Sequence, residues 1–399
     1  MDRRDANQAT QSNIILLLII LAISCLGQML SDLYLPSLPT MAKKLQVPTN
    51  WVQFTLAIYM IAFSVSQLFY GPISDALGRR KPILFGLSLS LSGSLLCTFS
   101  PDIYTLYVGR ALQGLGAGAG ISLVRPILRD LFETEQLAVY NTYIAIASVF
   151  ILSTSPILGG YIDQLAGWRF NFGLLTLLTI MCIALFYFKV PETSQHHHKD
   201  NLKLKTMLNN ASILLKSPVF IRFTVCPFLT YGGILAWLTA TPIIMQEVVG
   251  LSPVEFGWLY IFSGAGFLTG GLLNMRLVAK VGIDRMVNLG FMAQLLAGLL
   301  MLVGFLTGYI NVPVIMLPVL LFMLGSSLVF PNSSAGALIP FPKIAGTAGA
   351  IYGFIQILGG AISSSLMSLL EDQNQLPIAI AFIACSIISI MVFNLLKKP

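Results

Sequence analysis

Two residues of opposite charge stand inside long apolar runs of this chain. Asp32 stands in the outer third of the first run, and Arg110 lies in the fourth, LYVGRALQGLGAGAGISL. An ionisable group in hydrocarbon costs roughly 2.5 to 3.5 kcal/mol even on lenient insertion scales, so such groups pair, face water or mark an ion or substrate route. Of the 16 acidic residues only Asp32 falls clearly within a run, whereas Asp75 and Asp163 lie at run ends and the others in loops or tails. Burial favours a protonated carboxyl and a nearby cation favours the carboxylate. Movement of Arg110 relative to Asp32 would therefore switch proton affinity, and a purely structural salt bridge is the plain alternative. By position Asp32 is in the outer third of its run and Arg110 nearer the middle of its own, which leaves bridging by water as open as direct contact.

Other polar and aromatic residues are candidates to line a substrate cavity around this pair. Gln28 precedes Asp32 by one turn and Tyr34 follows it. In the second run Gln53, Ala57, Met60, Ser64 and Gln67 keep helical spacing, with Tyr59 beside them; in the fourth, Arg110, Gln113, Gly114 and Ala117 share a face. Tyr231, Trp237, Asn332, Tyr352 and Gln356 are the choices from the second half. For each of these taken singly, helix packing or interfacial anchoring is the competing reading.

The elements that position these residues are membrane spans. The 399 residues are 56% hydrophobic and 10% charged, where soluble proteins carry about 25% charged residues. Twelve apolar runs of spanning length cover 14–36, 52–71, 82–100, 104–124, 137–161, 170–189, 219–246, 254–276, 287–308, 312–335, 345–370 and 376–396. The polar connection at 191–217 splits them six and six, predicting an N-terminal bundle over 1–190 and a C-terminal bundle over 218–399. With a cytoplasmic N-terminus, 18 of the 23 Lys and Arg fall in the even connections and at the two ends, three in the odd connections, and Arg110 and Arg125 in or at the end of the fourth run. That asymmetry is the positive-inside rule and predicts both termini in the cytoplasm. The formal charge of +7 is thereby assigned to topology; no basic cluster with interleaved aromatics is left for nucleic acid.

The five cysteines all fall in apolar runs and imply no disulfide framework. His196, His197 and His198 are consecutive in the polar connection and make a poor metal cage. That connection also carries an amphipathic patch, Leu204, Leu208 and Leu215, suited to the membrane surface. The first run is too long for a signal sequence and lacks a cleavage site, so it is expected to be retained. Gly114-Leu115-Gly116-Ala117-Gly118-Ala119 fits a dinucleotide-binding fingerprint but lacks the strand and the later acid that it requires. Its small-xxx-small pairs, Gly114 with Gly118 and Gly116 with Gly120, predict close helix packing in lipid instead.

The sharpest motif is Gly71-Pro72-Ile73-Ser74-Asp75-Ala76-Leu77-Gly78-Arg79-Arg80-Lys81, between the second and third runs. It matches the GxxxDxxGRR signature of the major facilitator superfamily. Asp32-Leu33-Tyr34-Leu35-Pro36-Ser37-Leu38-Pro39 resembles the opening of drug:proton antiporters of the bicyclomycin and chloramphenicol resistance (Bcr/CflA) type. Gly109-Arg110-Ala111-Leu112-Gln113-Gly114, Ser155-Pro156-Ile157-Leu158-Gly159-Gly160, Phe330-Pro331-Asn332 and Gly353-Phe354-Ile355-Gln356 extend the resemblance. Ser155 stands where the antiporter motif usually has glycine, which predicts looser packing at Pro156. The second-half loop, Gly282-Ile283-Asp284-Arg285, echoes the first faintly, and Ala279 takes the place of its Asp, predicting a weaker second gate.

The resemblance implies an all-α integral membrane protein of the major facilitator fold, with twelve helices in two bundles around a central cavity. It implies proton-coupled export of small amphipathic compounds across a bacterial inner membrane, with Asp32 as proton carrier and Arg110 setting its affinity. Gly71, Asp75, Gly78, Arg79 and Arg80 would form a cytoplasmic gate, Asp75 touching the other half; Pro156, Gly159 and Gly160 would shape the fifth span. The alternatives are a dedicated exporter of one native metabolite, such as a siderophore or amino-acid derivative, and a membrane enzyme or sensor, for which no clustered catalytic groups are present. No cofactor or metal is expected, only the proton gradient; the expected partners are a small-molecule substrate, protons and membrane lipid, and the expected state is a monomer.

Overall fold

In the computed structural model, residues 3–132, 134–194, 204–370 and 374–396 are described, and every regular element among them is a helix. The first run folds as α1 (Arg3–Asp32), a 3-10 turn (Leu35–Ser37) and α2 (Leu38–Leu45). The interruption follows from Pro36 and Pro39, which have no N–H to continue the helical ladder. Then come α3 (Thr49–Leu77), α4 (Arg80–Thr98), α5 (Ile103–Leu131), α6 (Thr134–Ala166) and α7 (Arg169–Lys189). The second half holds α8 (Leu204–Leu215), α9 (Pro218–Ile243) continued by a π turn (Ile244–Val248), α10 (Pro253–Trp258), α11 (Tyr260–Val281), α12 (Ile283–Leu306), α13 (Val312–Leu338), α14 (Ala345–Met367) and α15 (Leu376–Leu395).

Twelve of the resulting segments are long and apolar enough to cross a membrane, matching the twelve runs, and the protein is a multi-pass membrane protein. Several helices outrun their apolar stretch: α5 continues past 124 to Leu131 and α3 past 71 to Leu77. Hydropathy stops where lipid stops, but the backbone ladder continues equally well in water. The face that carries the 191–217 connection is called here the linker face and the opposite one the far face.

In the first half α5 packs against α1, α3 and α4, while α7 packs against α1 and α4; in the second, α13 packs against α9, α11 and α12, with α14 and α15 on α9. The small residues of α5 are spent on all of its neighbours. Gly114 and Gly118 face Tyr59 and Ser66 of α3, Gly116 faces Gly86 and Ser90 of α4, and Gly120 faces Ile23 of α1. Two seams join the halves, α3 with α14 and α6 with α10 and α11. In the connection, Leu214 is buried against α9 residues such as Phe220, whereas Leu208 and Leu215 of the expected patch are exposed. The three histidines lie outside the described residues.

Candidate functional site

Arg110 is completely buried, and its Nη1 and Nε are bonded without a carboxylate. Its Nη1 donates to the Leu30 carbonyl and to Gln113 Oε1, each at 2.7 Å, and its Nε reaches the Thr55 carbonyl at 3.4 Å. The guanidinium carbon also lies 4.4 Å from the ring centre of Tyr34 and 4.3 Å from that of Tyr59. Desolvated cation–π contacts contribute up to about 2 kcal/mol, and hydrogen bonds from a charged donor are stronger than neutral ones. The cage is itself tied down: Tyr34 bonds Thr55 at 3.0 Å, Tyr59 donates to the Gly27 carbonyl at 2.9 Å, and Gln113 Nε2 donates to Ser94 at 2.8 Å. Arg110 thus clamps α1, α3 and, through Gln113, α4 onto α5.

Asp32 is equally inaccessible and ends α1 where the proline-bearing turn begins. Its Oδ2 accepts from Gln28 Nε2, while Oδ1 has no hydrogen-bond partner; Arg110 Nη2 is likewise unpartnered. The two charges do not approach within ion-pair distance, 4.0 Å. They do act on one another through space, and the Leu30 bond brings the guanidinium to the last turn of α1. The depth mismatch expected from the sequence is therefore corrected: Arg110 reaches the level of Asp32 because its side chain is long, yet it binds the backbone of α1 in place of the carboxylate.

Several expected cavity residues are occupied with structural work. Tyr34, Tyr59 and Gln113 are fully buried in the Arg110 cage and do not line open space. Asn332 Nδ2 donates to Asn274 at 2.6 Å and to the Leu328 carbonyl, and Tyr352 points at the Phe330 carbonyl at 3.4 Å, away from the Asp32 site. Gln356 is half-buried. Tyr231 packs edge-on to Phe330 at 6.4 Å and Trp237 lies 5.1 Å from Tyr260 between ring centres. A cavity of about 350 Å³ near the linker face is lined by Arg125, Ile144, Ala145 and Ser148, and one of about 320 Å³ at the far face by Trp51, Phe54, Tyr104 and Tyr107 among others.

The far ends of the two halves are closed upon each other. Gln246 Nε2 donates to the Pro36 carbonyl at 2.8 Å, Gln53 Nε2 to the Thr239 carbonyl at 2.9 Å, and Lys43 stands 3.8 Å from Glu247. Of the expected antiporter-motif residues, Pro156 and Gly160 form the second seam, while Gly159 packs within the first half on the end of α1. A Cβ at Gly159 would overlap the Leu33 carbonyl, one at Gly160 the Pro253 carbonyl, and one at Gly257 would lie 2.7 Å from the Pro156 carbonyl. Pro156 does not interrupt α6, and Ser155 is buried with an unpaired hydroxyl, so its loss of glycine has not opened this contact.

At the linker face the signature motif forms a charge cluster within the first half. Arg79 bonds Asp75 at 2.6 Å, Ser74 at 2.5 Å and Asp130 at 3.0 Å. Asp75 therefore pairs with Arg79, one turn along. Gly71 has open space where a Cβ would be, whereas Gly78 adopts φ 85° and its Cβ would strike Glu192.

Glu192, just past α7, is the residue that sequence reasoning missed. Its carboxylate accepts from the N–H of Arg79 at 2.7 Å, Arg80 at 3.1 Å and both Thr193 and Ser194 at 3.0 Å. Partial burial works to raise its pKa, but these N–H bonds outweigh it and hold the group below its ordinary value. The only signal was an acid at the start of a polar connection. In the second half Gly282 repeats the backbone of Gly78, with φ 85°, and Arg222 bonds Asp284 at 2.8 Å while stacking 3.8 Å from the Phe393 ring centre. The expected weakness of the second loop is met by an ion pair built from different positions.

A profile of the Major Facilitator Superfamily matches residues 17–364. Multidrug resistance protein D of Escherichia coli (strain K12) is 31% identical over 92% of this chain and 91% of its own. The bicyclomycin resistance protein homolog of Haemophilus influenzae is 28% identical over 92% of each chain, and a chloramphenicol resistance protein of Pseudomonas aeruginosa 26% identical over 88% and 83%. Among solved structures, a D-xylose-proton symporter superposes with a TM-score of 0.77 at 16% identity, covering 94% of this chain and 97% of that one.

Proposed function

This chain belongs to the Major Facilitator Superfamily, and from that premise we propose that it exports small amphipathic compounds, drugs of the bicyclomycin and chloramphenicol type among them, in exchange for protons. The membrane is a bacterial inner membrane, the linker face is cytoplasmic, and 1–190 and 218–399 rock against each other as a monomer without cofactor or metal.

The observation that carries the coupling is the pair of unequal fates at the end of α1. Arg110 is neutralised by carbonyls and rings, so Asp32 keeps one carboxylate oxygen free. A carboxyl with a free oxygen in an occluded site can exchange a proton with the far side and later release it to the cytoplasm, and substrate binding competes with the proton. Arg110 acts on Asp32 by holding the last turn of α1 and by its charge at a distance. The Arg79 cluster and Glu192 brace the cytoplasmic end of the first bundle while the far face is shut. The relatives named for drug resistance support the choice of cargo.

The test is reconstitution of wild type and Asp32→Asn in liposomes with an imposed pH gradient, following chloramphenicol movement. Gradient-driven movement is expected in wild type and only passive exchange in the variant. An unchanged response to the gradient in Asp32→Asn removes Asp32 from coupling.

A further inference from the structure

Among the described residues only two carboxyl groups are buried, Asp32 and Asp163, and the coupling uses only the first. Asp163 stands in the last turn of α6 at the far face, 7% exposed. Its Oδ2 accepts from Thr40 of α2 at 2.9 Å, and its Oδ1 has no hydrogen-bond partner. No cation among the described residues comes within ion-pair distance, 4.0 Å. An uncompensated buried carboxylate is far more costly than an unpaired hydroxyl, which separates Asp163 from the other unpartnered atoms. The end of a helix adds to that cost, because the backbone dipole is negative there.

The charges on elements packed against α6 are engaged elsewhere. Lys43 of α2 faces Glu247 at 3.8 Å, Lys44 is exposed, and Glu255 of α10 caps its own helix through Ser252. Arg169 of α7 donates to the Ser100 carbonyl at 2.8 Å and lies 4.2 Å from the Trp168 ring centre. Asp32 of α1 and Tyr260 of α11 bring no cation, and Arg125 and Arg129 of α5 belong to the linker end.

Position decides what covers Asp163. Gly159 faces the Leu33 carbonyl at the end of α1, and Gly160 faces the Pro253 carbonyl of α10. At about 100° per residue, Asp163 points between those two directions one turn further out, into the junction of the halves. Its bond to Thr40 has a companion one turn inward, where Asn171 Nδ2 donates to Ser37 Oγ at 2.9 Å and to the Gly159 carbonyl at 3.2 Å. The two together fasten the start of α2 to α6 and α7. The same stretch carries the far-face closure, since the Pro36 carbonyl accepts from Gln246 and Lys43 meets Glu247. Parting α6 from α10 would uncover one wall around Asp163.

We propose that Asp163 is a second proton-binding site, loaded from the far side, whose proton stabilises the closed far face and is not carried across. This rests on the rocking of the two halves in the export reading and is independent of the cargo. With the far face open, water solvates the carboxylate. With it shut, the charge has neither water nor a cation, so the carboxyl keeps a proton taken from far-side water while Thr40 still donates to Oδ2. A ligand shifts an equilibrium toward the state that binds it better; falling far-side pH therefore favours closure. On reopening the proton returns to the far side, because Asp163 lies a full turn beyond the contact of Gly159 with Leu33. The empty carrier thus resets toward the cytoplasm when far-side protons are plentiful.

Nitroxide labels on F99C and Y309C, at exposed far-face positions of the two halves, report closure by double electron–electron resonance, with the five native cysteines replaced by alanine. As pH falls from about 8 to about 5, the closed-to-open ratio of otherwise wild-type protein in nanodiscs is expected to rise several-fold, at most about tenfold per pH unit for one proton. Asp163→Asn keeps an acceptor for Thr40 without a charge. At about pH 8 its ratio is expected to exceed that of wild type about tenfold, with a flattened pH response; Asp163→Glu, still titratable, should keep a slope. A thermal melt checks the fold, and Asp163→Ser stands in if the asparagine variant fails it. In liposomes only the far-side pH should move the ratio. An equal slope in wild type and the neutral variant, a slope of opposite sign that the substitution removes, or a response to the linker-side pH alone overturns the site. Distances that change with neither pH nor chloramphenicol overturn the rocking and the site with it. The expected loss of slope without gradient-driven chloramphenicol movement overturns export and leaves the site standing.

Discussion

The Arg110 guanidinium donates to the Leu30 carbonyl at 2.7 Å and leaves Asp32, two residues further along α1, without an ion-pair partner. A buried cation is usually matched to the nearest carboxylate. Here it is matched to the backbone, which separates the work of neutralising Arg110 from the work of moving a proton.

Arg110→Lys is expected to fail despite keeping the charge. A lysine ammonium has three donors on a flexible stem and no planar face to lie between Tyr34 and Tyr59. It cannot reach Leu30, Gln113 and Thr55 together. Gradient-driven transport in liposomes should fall by more than about tenfold, and the melting temperature should drop, since a buried charge with lost partners costs about 3 kcal/mol or more.

Tyr59 contributes to the cage in two separable ways. Tyr59→Phe removes the bond to the Gly27 carbonyl and keeps the ring on Arg110, an expected loss of about 1 kcal/mol. Tyr59→Leu removes the ring as well and should cost about 2 kcal/mol more. Denaturant unfolding of the two purified variants gives the comparison; equal losses would mean that the ring face contributes nothing.

The Glu192 brace is expected to depend on pH. Its pKa is lowered from an ordinary 4.5 in the folded protein, so the stability it supplies is fully present above that value and is lost as the pH falls through the lower folded one. Thermal melts from neutral pH downward should show the gap between wild type and Glu192→Ala narrowing once the pH passes below the ordinary glutamate value and closing below the lowered one. A constant gap between the two at all pH values would show that the carboxylate is not what braces Arg79 and Arg80.

Closure of the far face depends on Gly160, whose missing Cβ makes room for the Pro253 carbonyl. In the otherwise wild-type chain, a K43C/E247C pair should be joined efficiently by a flexible bifunctional thiol reagent, because the tips of the two long side chains they replace meet at 3.8 Å while the shorter cysteines stand too far apart for a direct disulfide. Adding Gly160→Val should hold the halves apart and suppress that cross-link while leaving each bundle folded. Undiminished cross-linking would mean that the α6–α10 contact is not required for closure.

Much of this arrangement was legible in the chain. Apolar length announced twelve spans, the even-loop lysines and arginines predicted an orientation, and Gly78 with Arg79 announced the turn and cluster after α3. Asp32 and Arg110 announced themselves because a charge in an apolar run has few other reasons to be there. Asp75, Tyr34 and Tyr59 were harder. A motif says that residues belong together without saying which neighbour takes them, and an aromatic in a span reads alike as cage, core or cavity wall.

What the amino-acid order determined by itself is whatever depends on local composition: span number, helix punctuation, and the presence of one acid and one base in the membrane. What only the tertiary structure decided is who satisfies whom. Arg110 chose carbonyls 80 and 55 residues away, Glu192 chose the N–H groups of Arg79 and Arg80, and Gln246 came to bond the Pro36 carbonyl across a seam. Hydrogen bonds act over about 3 Å, and that separation between distant segments is set by how bundles pack, a quantity no short stretch of sequence encodes.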